Sequence, residues 1–313
     1  MMKLRITPHP FADWFFPLVS VRVLRLVRMA LGLVTLVQAL VWMPRVHEFF
    51  TSQGIASASY VHDTTVYSHL SLFFVYDAPW FVYICFAVFL LACLGMIFGK
   101  GGRLSAILTW FFFISFASRF PLVFYGAIDH IHSILFFNMF HPGEGYLSWG
   151  HGGVKERSKA VTAWSIRMMQ LAICIVYFMA GAQKIRSNTW WNGTELLNSL
   201  STRFGAFDFY WLTHYPIIVN LMTYGSWFAE ITFAFLIWGK STHRFSLLAI
   251  VGMHLGILVV MNASLFSEIM IATLVCFITI EDEVRVAELW NKYGKRLLLA
   301  GWTKSRSLRK RTA

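Results

Sequence analysis

Charge is what this sequence has least of. Asp, Glu, Lys and Arg supply 13% of its 313 residues, about half the share in an ordinary globular chain. That leaves too little polar surface to coat a water-facing body of this mass. With 57% hydrophobic residues and a mean hydropathy of +0.59, a soluble multidomain enzyme, a disordered chain and a secreted disulfide scaffold are all excluded. Cysteine is scarce too. Cys85, Cys93, Cys174 and Cys276 all fall inside apolar runs, where a thiol behaves as a small hydrophobe, so no disulfide framework is expected. Neither HExxH nor CxxC occurs, and no Gly-rich nucleotide loop or Ser-His-Asp order can be argued. His130 and His132 would lie on different faces of one helix, and His141 and His151 bracket a Gly-rich stretch, so no metal is expected.

What is present in quantity is long apolar sequence. A spanning helix needs about 20 largely apolar residues. Runs of that kind cover roughly 23–43, 78–98, 104–119, 121–140, 163–183, 217–238, 245–261 and 263–280. The expected fold is all-α, a polytopic transmembrane bundle of about eight helices over residues 1–280, followed by a basic tail over 281–313. The third run is short and the last two are split near Asn262, so seven or nine helices stay open. The first run is too long for a signal-peptide core and reads as a retained helix.

The net charge of +12 would suggest nucleic acid in a soluble protein, but here the cations sit between and after the apolar runs. If the N-terminus is cytoplasmic, only Arg45, Arg119, Lys184, Arg186 and Arg203 of the 27 Lys and Arg fall outside. The positive-inside rule then puts both termini in the cytoplasm of a cell whose inner, plasma membrane holds the protein. The bilayer is thus the expected partner, and nucleic acid is not. The tail opens acidic and closes basic, and its stripe of Val284, Ala287, Trp290, Leu297 and Leu298 reads as a helix lying on the anionic inner leaflet.

Ionisable groups at membrane depth are costly and usually face a cavity or a partner. Asp129, His130 and His132 lie in the fourth run, Gln183 and Lys184 end the fifth, Glu230 is in the sixth, His254 in the seventh, and Glu268 follows Asn262 in the eighth. At 1.5 Å per residue, Asp129 and His132 lie roughly 12–17 Å from the outer end of their helix. These groups predict a polar pocket open to the extracytoplasmic side, with Arg119 and Trp190 or Trp191 at its mouth, and Arg119, Trp191, Asn262 and His254 are the residues expected to bind a cofactor. Asp129 and His132, three apart, share a helical face and can orient each other, whereas His130 points elsewhere. A purely structural alternative pairs Asp129 with Lys184 or Arg119. Glu230, deeper along its helix, reads as a packing or ion-pair residue.

The order of several short motifs resembles the horizontally transferred transmembrane (HTTM) domain family, which includes the vitamin K-dependent gamma-carboxylase. They are Arg28-Met-Ala-Leu-Gly32, Asp77-Ala-Pro-Trp80, Arg119-Phe-Pro121 with Gly126 and Asp129, and Pro142-Gly-Glu-Gly-Tyr-Leu-Ser148. The sharpest are Tyr177-Phe-Met-Ala-Gly-Ala-Gln-Lys-Ile185 with Trp191-Asn-Gly193, and Met261-Asn-Ala-Ser-Leu-Phe-Ser267. The resemblance implies an integral membrane enzyme in which Lys184 is the base that deprotonates a reduced quinone, with His132 and Asp129 assisting. It further implies O2 and CO2 as co-reactants and a secreted peptide or small molecule as substrate. A glutamate γ-carbon is too weak an acid for any side chain to deprotonate, so the oxygenated quinone must supply the strong base, shielded from water. A lysine acts as base only when neutral, a form that burial favours. Gln183 stands where the carboxylase has a second lysine, and no counterpart of the carboxylase's large lumenal propeptide-recognising region is expected. The family also includes maturation proteins of bacterial peptide toxins. A non-enzymatic maturation or immunity partner of an exported peptide, or a transporter, therefore stands as the alternative reading.

Overall fold

The computed structural model describes residues 10–64, 70–120, 125–141, 160–202, 205–261, 263 and 265–289. Asn262, Pro121, the 142–148 motif and the tail residues Trp290, Leu297 and Leu298 lie outside the described residues. The chain forms two compact units, Met1–Phe277 and Ile278–Ala313.

The first unit opens with a short helix, α1 (Pro10–Phe15), and a strand, β1 (Leu18–Ser20). Ser20 then caps α2 (Val21–Trp42), its hydroxyl accepting from the Val23 amide at 3.2 Å, which satisfies one of the free donors of a helix start. Two short helices follow, α3 (Val46–Phe50) and α4 (Ala58–Thr64), and then α5 (Pro79–Ile97), α6 (Gly102–Arg119) and α7 (Gly126–Asn138). Pro79 sits at the first position of α5, where its missing N–H costs nothing. Strand β2 (Ala160–Thr162) pairs antiparallel with β1, Val19 opposite Val161, and so ties the entry of α2 to the entry of α8 (Trp164–Lys184). Two small helices, α9 (Asn188–Trp191) and α10 (Glu195–Leu200), lead to α11 (Pro216–Leu236), α12 (His243–Val260) and α13 (Phe266–Leu274).

The long helices close into a ring: α2 packs on α5, α5 on α6, α6 on α7, α7 on α8, α8 on α11, α11 on α12, α12 on α13 and α13 back on α2. The short α13 also touches α7 and α8, so it lies toward the middle of the bundle. Two features of α2 show how sequence sets this packing. Arg28 is buried and donates to the Gly102 carbonyl and, at 2.5 Å, to the Ser105 hydroxyl, bolting α2 to the start of α6. One turn on, a Cβ added at Gly32 would lie 2.9 Å from Met96 Cβ. Glycine there lets α2 and α5 touch backbone to side chain.

Each of the eight apolar runs contains a helix. Among the described residues, four stretches are long and apolar enough to cross a membrane by length and composition: Val21–Phe50, Pro79–Ile97, Trp164–Lys184 and His243–Val260. The 13 residues of α7 and the nine of α13 rise about 20 and 14 Å, short of a hydrocarbon core of about 30 Å.

The second unit is described only through α14 (Ile280–Leu289). Thr279 and Asp282 cap it reciprocally: the Thr279 amide donates to the Asp282 carboxylate at 3.1 Å, and the Asp282 amide to the Thr279 hydroxyl at 3.2 Å.

Candidate functional site

The last turns of α8 present Tyr177, Gly181 and Lys184 along one stripe, at spacings of four and three residues. Gly181 is what brings α11 close. A Cβ there would come within 3.1 Å of the Ile231 backbone, and the Gly181 carbonyl accepts from the Trp227 indole at 2.9 Å. That contact sets Glu230 level with Lys184, and the two form an ion pair. Glu230 is therefore the ion-pair residue expected of it, and its partner is at the end of α8.

Below the pair, the Tyr177 hydroxyl and His254 Nε2 of α12 share a hydrogen bond of 2.8 Å. Phe233 and Phe266 wall them in, with ring centroids 4.9 Å from Tyr177 and 5.5 Å from His254. From α7, His130 reaches Thr273 of α13 at 3.0 Å. His254 and His130 are buried, and among the described residues the Nδ1 atom of each has no hydrogen-bond partner, nor has the Ser267 hydroxyl at the start of α13. Leu265, just before it, holds a φ of 50°, a left-handed conformation that costs a leucine about 1–2 kcal/mol. Strained backbone of this kind collects at functional sites.

Aromatic side chains cover the Lys184 end. The Trp190 ring lies 4.3 Å from Lys184 Nζ, a cation–π contact. Trp191 is exposed and clamps the turn, its indole donating to the Ile185 carbonyl at 2.7 Å and its ring set 5.4 Å from Trp227. The left-handed Gly193, with φ 75°, fits here because any Cβ would strike Asn220 Oδ1 at 2.3 Å.

The structure thus pairs Lys184 with Glu230 and Tyr177 with His254, and sets His130 on Thr273. Asp129 and His132 are placed differently. Asp129 is exposed, and the His132 ring stacks on Trp110 of α6 at 5.9 Å. Asp129 does act on His132 through its charge, in line with their shared face. His130, about 100° around the helix from Asp129, turns inward instead. Arg119 does not stand at a pocket mouth. It is fully buried, and its Nη2 donates to the Thr51 carbonyl at 3.1 Å, the Ala56 carbonyl at 2.9 Å and Asp77 at 3.1 Å. Arg119 therefore fastens the connection between α3 and α5 to the end of α6. Neither Asp129–Lys184 nor Asp129–Arg119 forms. Asn262 is outside the described residues. Among the described residues no group of three or more His, Cys, Asp or Glu could hold a metal ion.

The missed residues had uneven signals. Tyr177 opens one of the recognised motifs, and Glu230 stood out as a carboxylate in an apolar run. Nothing in the sequence says which way His130 faces until the neighbours of α7 are known.

The sequence model of a known domain family, described as HTTM domain, matches residues 19–281. No curated protein and no solved structure matches the chain.

Proposed function

This chain belongs to the HTTM domain family of membrane proteins, and from that premise we propose that it is an enzyme whose proton-handling centre is Lys184 with Glu230, Tyr177 and His254. The observation that carries the reading is the Lys184–Glu230 pair set inside the helix ring, next to a buried tyrosine–histidine hydrogen bond. A pair that served only to close the bundle would not require a second polar pair and three unpartnered buried atoms around it.

The groups that would hold the hydroxyls of a reduced quinone are His254 Nδ1 and Ser267 Oγ, both buried and without a hydrogen-bond partner among the described residues. When bound and in contact with O2, such a group supplies the strong base that removal of a proton from carbon demands. The protein's part is to take the first proton. In the ion pair, Nζ holds a proton; when that proton passes to the Glu230 carboxylate, Nζ is left as a neutral amine able to accept another from an acidic hydroxyl. Tyr177 fixes the His254 ring, so that Nδ1 stays directed at a ligand. The substrate is a peptide or small molecule reaching the Lys184 end of the bundle, which the charge distribution assigns to the extracytoplasmic face, with CO2 the co-reactant if the outcome is carboxylation.

Two experiments test this. Purified protein in nanodiscs, given reduced vitamin K or menaquinol, is expected to consume O2 at least tenfold faster than empty nanodiscs. Rates no higher than those of empty nanodiscs with either quinol would overturn the enzymatic reading. For orientation, a cytoplasm-active reporter fused after Ala313 is expected to be active in cells, and a periplasm-active one silent. The opposite pattern would put Lys184 on the cytoplasmic side.

A further inference from the structure

At the other end of the ring, where α8 begins and α11 has just ended, a second arrangement is independent of the Lys184 centre. The Arg167 guanidinium lies against a pair of touching indoles, 4.7 Å from the Trp14 ring centroid and 4.8 Å from that of Trp238, the two rings being 5.6 Å apart. Arg167 Nε donates to the Trp14 carbonyl and Nη1 to Gln170 Oε1, each at 2.8 Å. Gln170 is in turn anchored on the Cys276 carbonyl at 2.8 Å. The guanidinium is thus held by two of its nitrogens and by cation–π contact with both rings, and its Nη2 is not engaged by these bonds.

Its surroundings say what kind of group the third nitrogen meets. The same end of the bundle carries Arg22 and Arg25 at the start of α2, Lys100 and Arg103 at the α5–α6 turn, and Lys240 and Arg244 at the α11–α12 turn, with the acidic Asp13 in α1. Beside the Trp14 indole, Phe11, Phe16 and Leu18 are 65%, 47% and 66% exposed. A fixed cation with a free donor, set against indoles and flanked by exposed apolar side chains, faces a molecule that is anionic at its head and apolar behind it.

We propose that Trp14, Arg167 and Trp238 form a binding site for the phosphate headgroup of an anionic phospholipid, with Phe11, Phe16 and Leu18 against its acyl chains. The site orders α1 on the membrane surface and holds it to the entry of α8. Lysine in place of Arg167 would keep the charge but lose the planar group and the forked donation.

Native mass spectrometry of the full-length protein, released from nanodiscs of equal phosphatidylglycerol and phosphatidylcholine, tests the site. Retained lipid is expected to be enriched in phosphatidylglycerol at least fivefold, and Arg167→Gln to remove about fivefold of that preference, on the scale of one basic residue near an anionic surface. Trp14→Leu is expected to reduce it as well, while Lys240→Gln changes it less than twofold. Inorganic phosphate at millimolar concentration is expected not to displace the lipid; displacement would show a free-anion site and overturn the assignment. Equal retention of the two lipids by the wild type would overturn it whether or not the variants fold, and so would an equal loss on Lys240→Gln, which would mark diffuse surface attraction.

Discussion

Lys184→Arg is expected to leave the protein folded and inserted while lowering quinol-dependent turnover by at least a hundredfold. Arginine can keep the charge pair with Glu230 and the cation over Trp190, so an anchoring or purely structural lysine should tolerate it. A base should not, because guanidinium keeps its proton under any relevant condition, and loss of a general base typically removes 10²–10⁴-fold of the rate. Lys184→Ala should be no more active, and it should be less stable, because it leaves Glu230 without its partner in a largely buried position. Truncating one member of a buried pair commonly costs about 3–5 kcal/mol, and the side chains here, 20% and 11% exposed, place the cost toward or below the lower end. The Lys184→Ala, Glu230→Ala double variant is expected to recover part of that stability and none of the activity. Turnover by O2 uptake and thermal unfolding in the same detergent separate the two effects. Near-normal turnover in Lys184→Arg would remove the residue from the chemistry.

The largest stability effect is expected at Arg119. One fully buried nitrogen serves two carbonyls, on Thr51 and Ala56, and the Asp77 carboxylate. Arg119→Met fills much of the same volume but leaves all three acceptors without that donor, and a loss of about 3–5 kcal/mol is expected. Asp77→Asn keeps the hydrogen bond in neutral form and should cost about 1 kcal/mol. Asp77 is partly exposed, and water can serve it. Thermal unfolding in detergent, with limited proteolysis of the 51–77 connection as a local readout, measures both. If Arg119→Met unfolds no earlier than the wild type, Arg119 does not fasten that connection, and its place in a ligand site would have to be reconsidered.

The Asp77–Arg119 pair also shows what reading along the chain delivers. Asp77-Ala-Pro-Trp80 and Arg119-Phe-Pro121 were legible as separate motifs, yet nothing in either names the other as partner. The same holds for Arg28 with Gly102, and for Lys184 with Glu230. Each motif marks a polar group in apolar sequence, and the pairing is made across 42 to 74 residues of chain.

What the sequence determined by itself was the membrane class, the positions of the helices and the residues that lipid would not tolerate. Scarce charge, runs near 20 residues and buried polar groups are properties of composition and local order, and the energy of transferring a side chain from water to hydrocarbon depends on little else. Only the tertiary structure decided which polar groups meet. A helix fixes the angle between Asp129, His130 and His132, but which of those directions is interior depends on the neighbours that close the ring around α7. Packing turned His130 inward to Thr273, set His132 against Trp110, and used the missing side chain of Gly181 to bring Glu230 onto Lys184. Helical period gives faces relative to one another, and only the contact between helices gives them an inside.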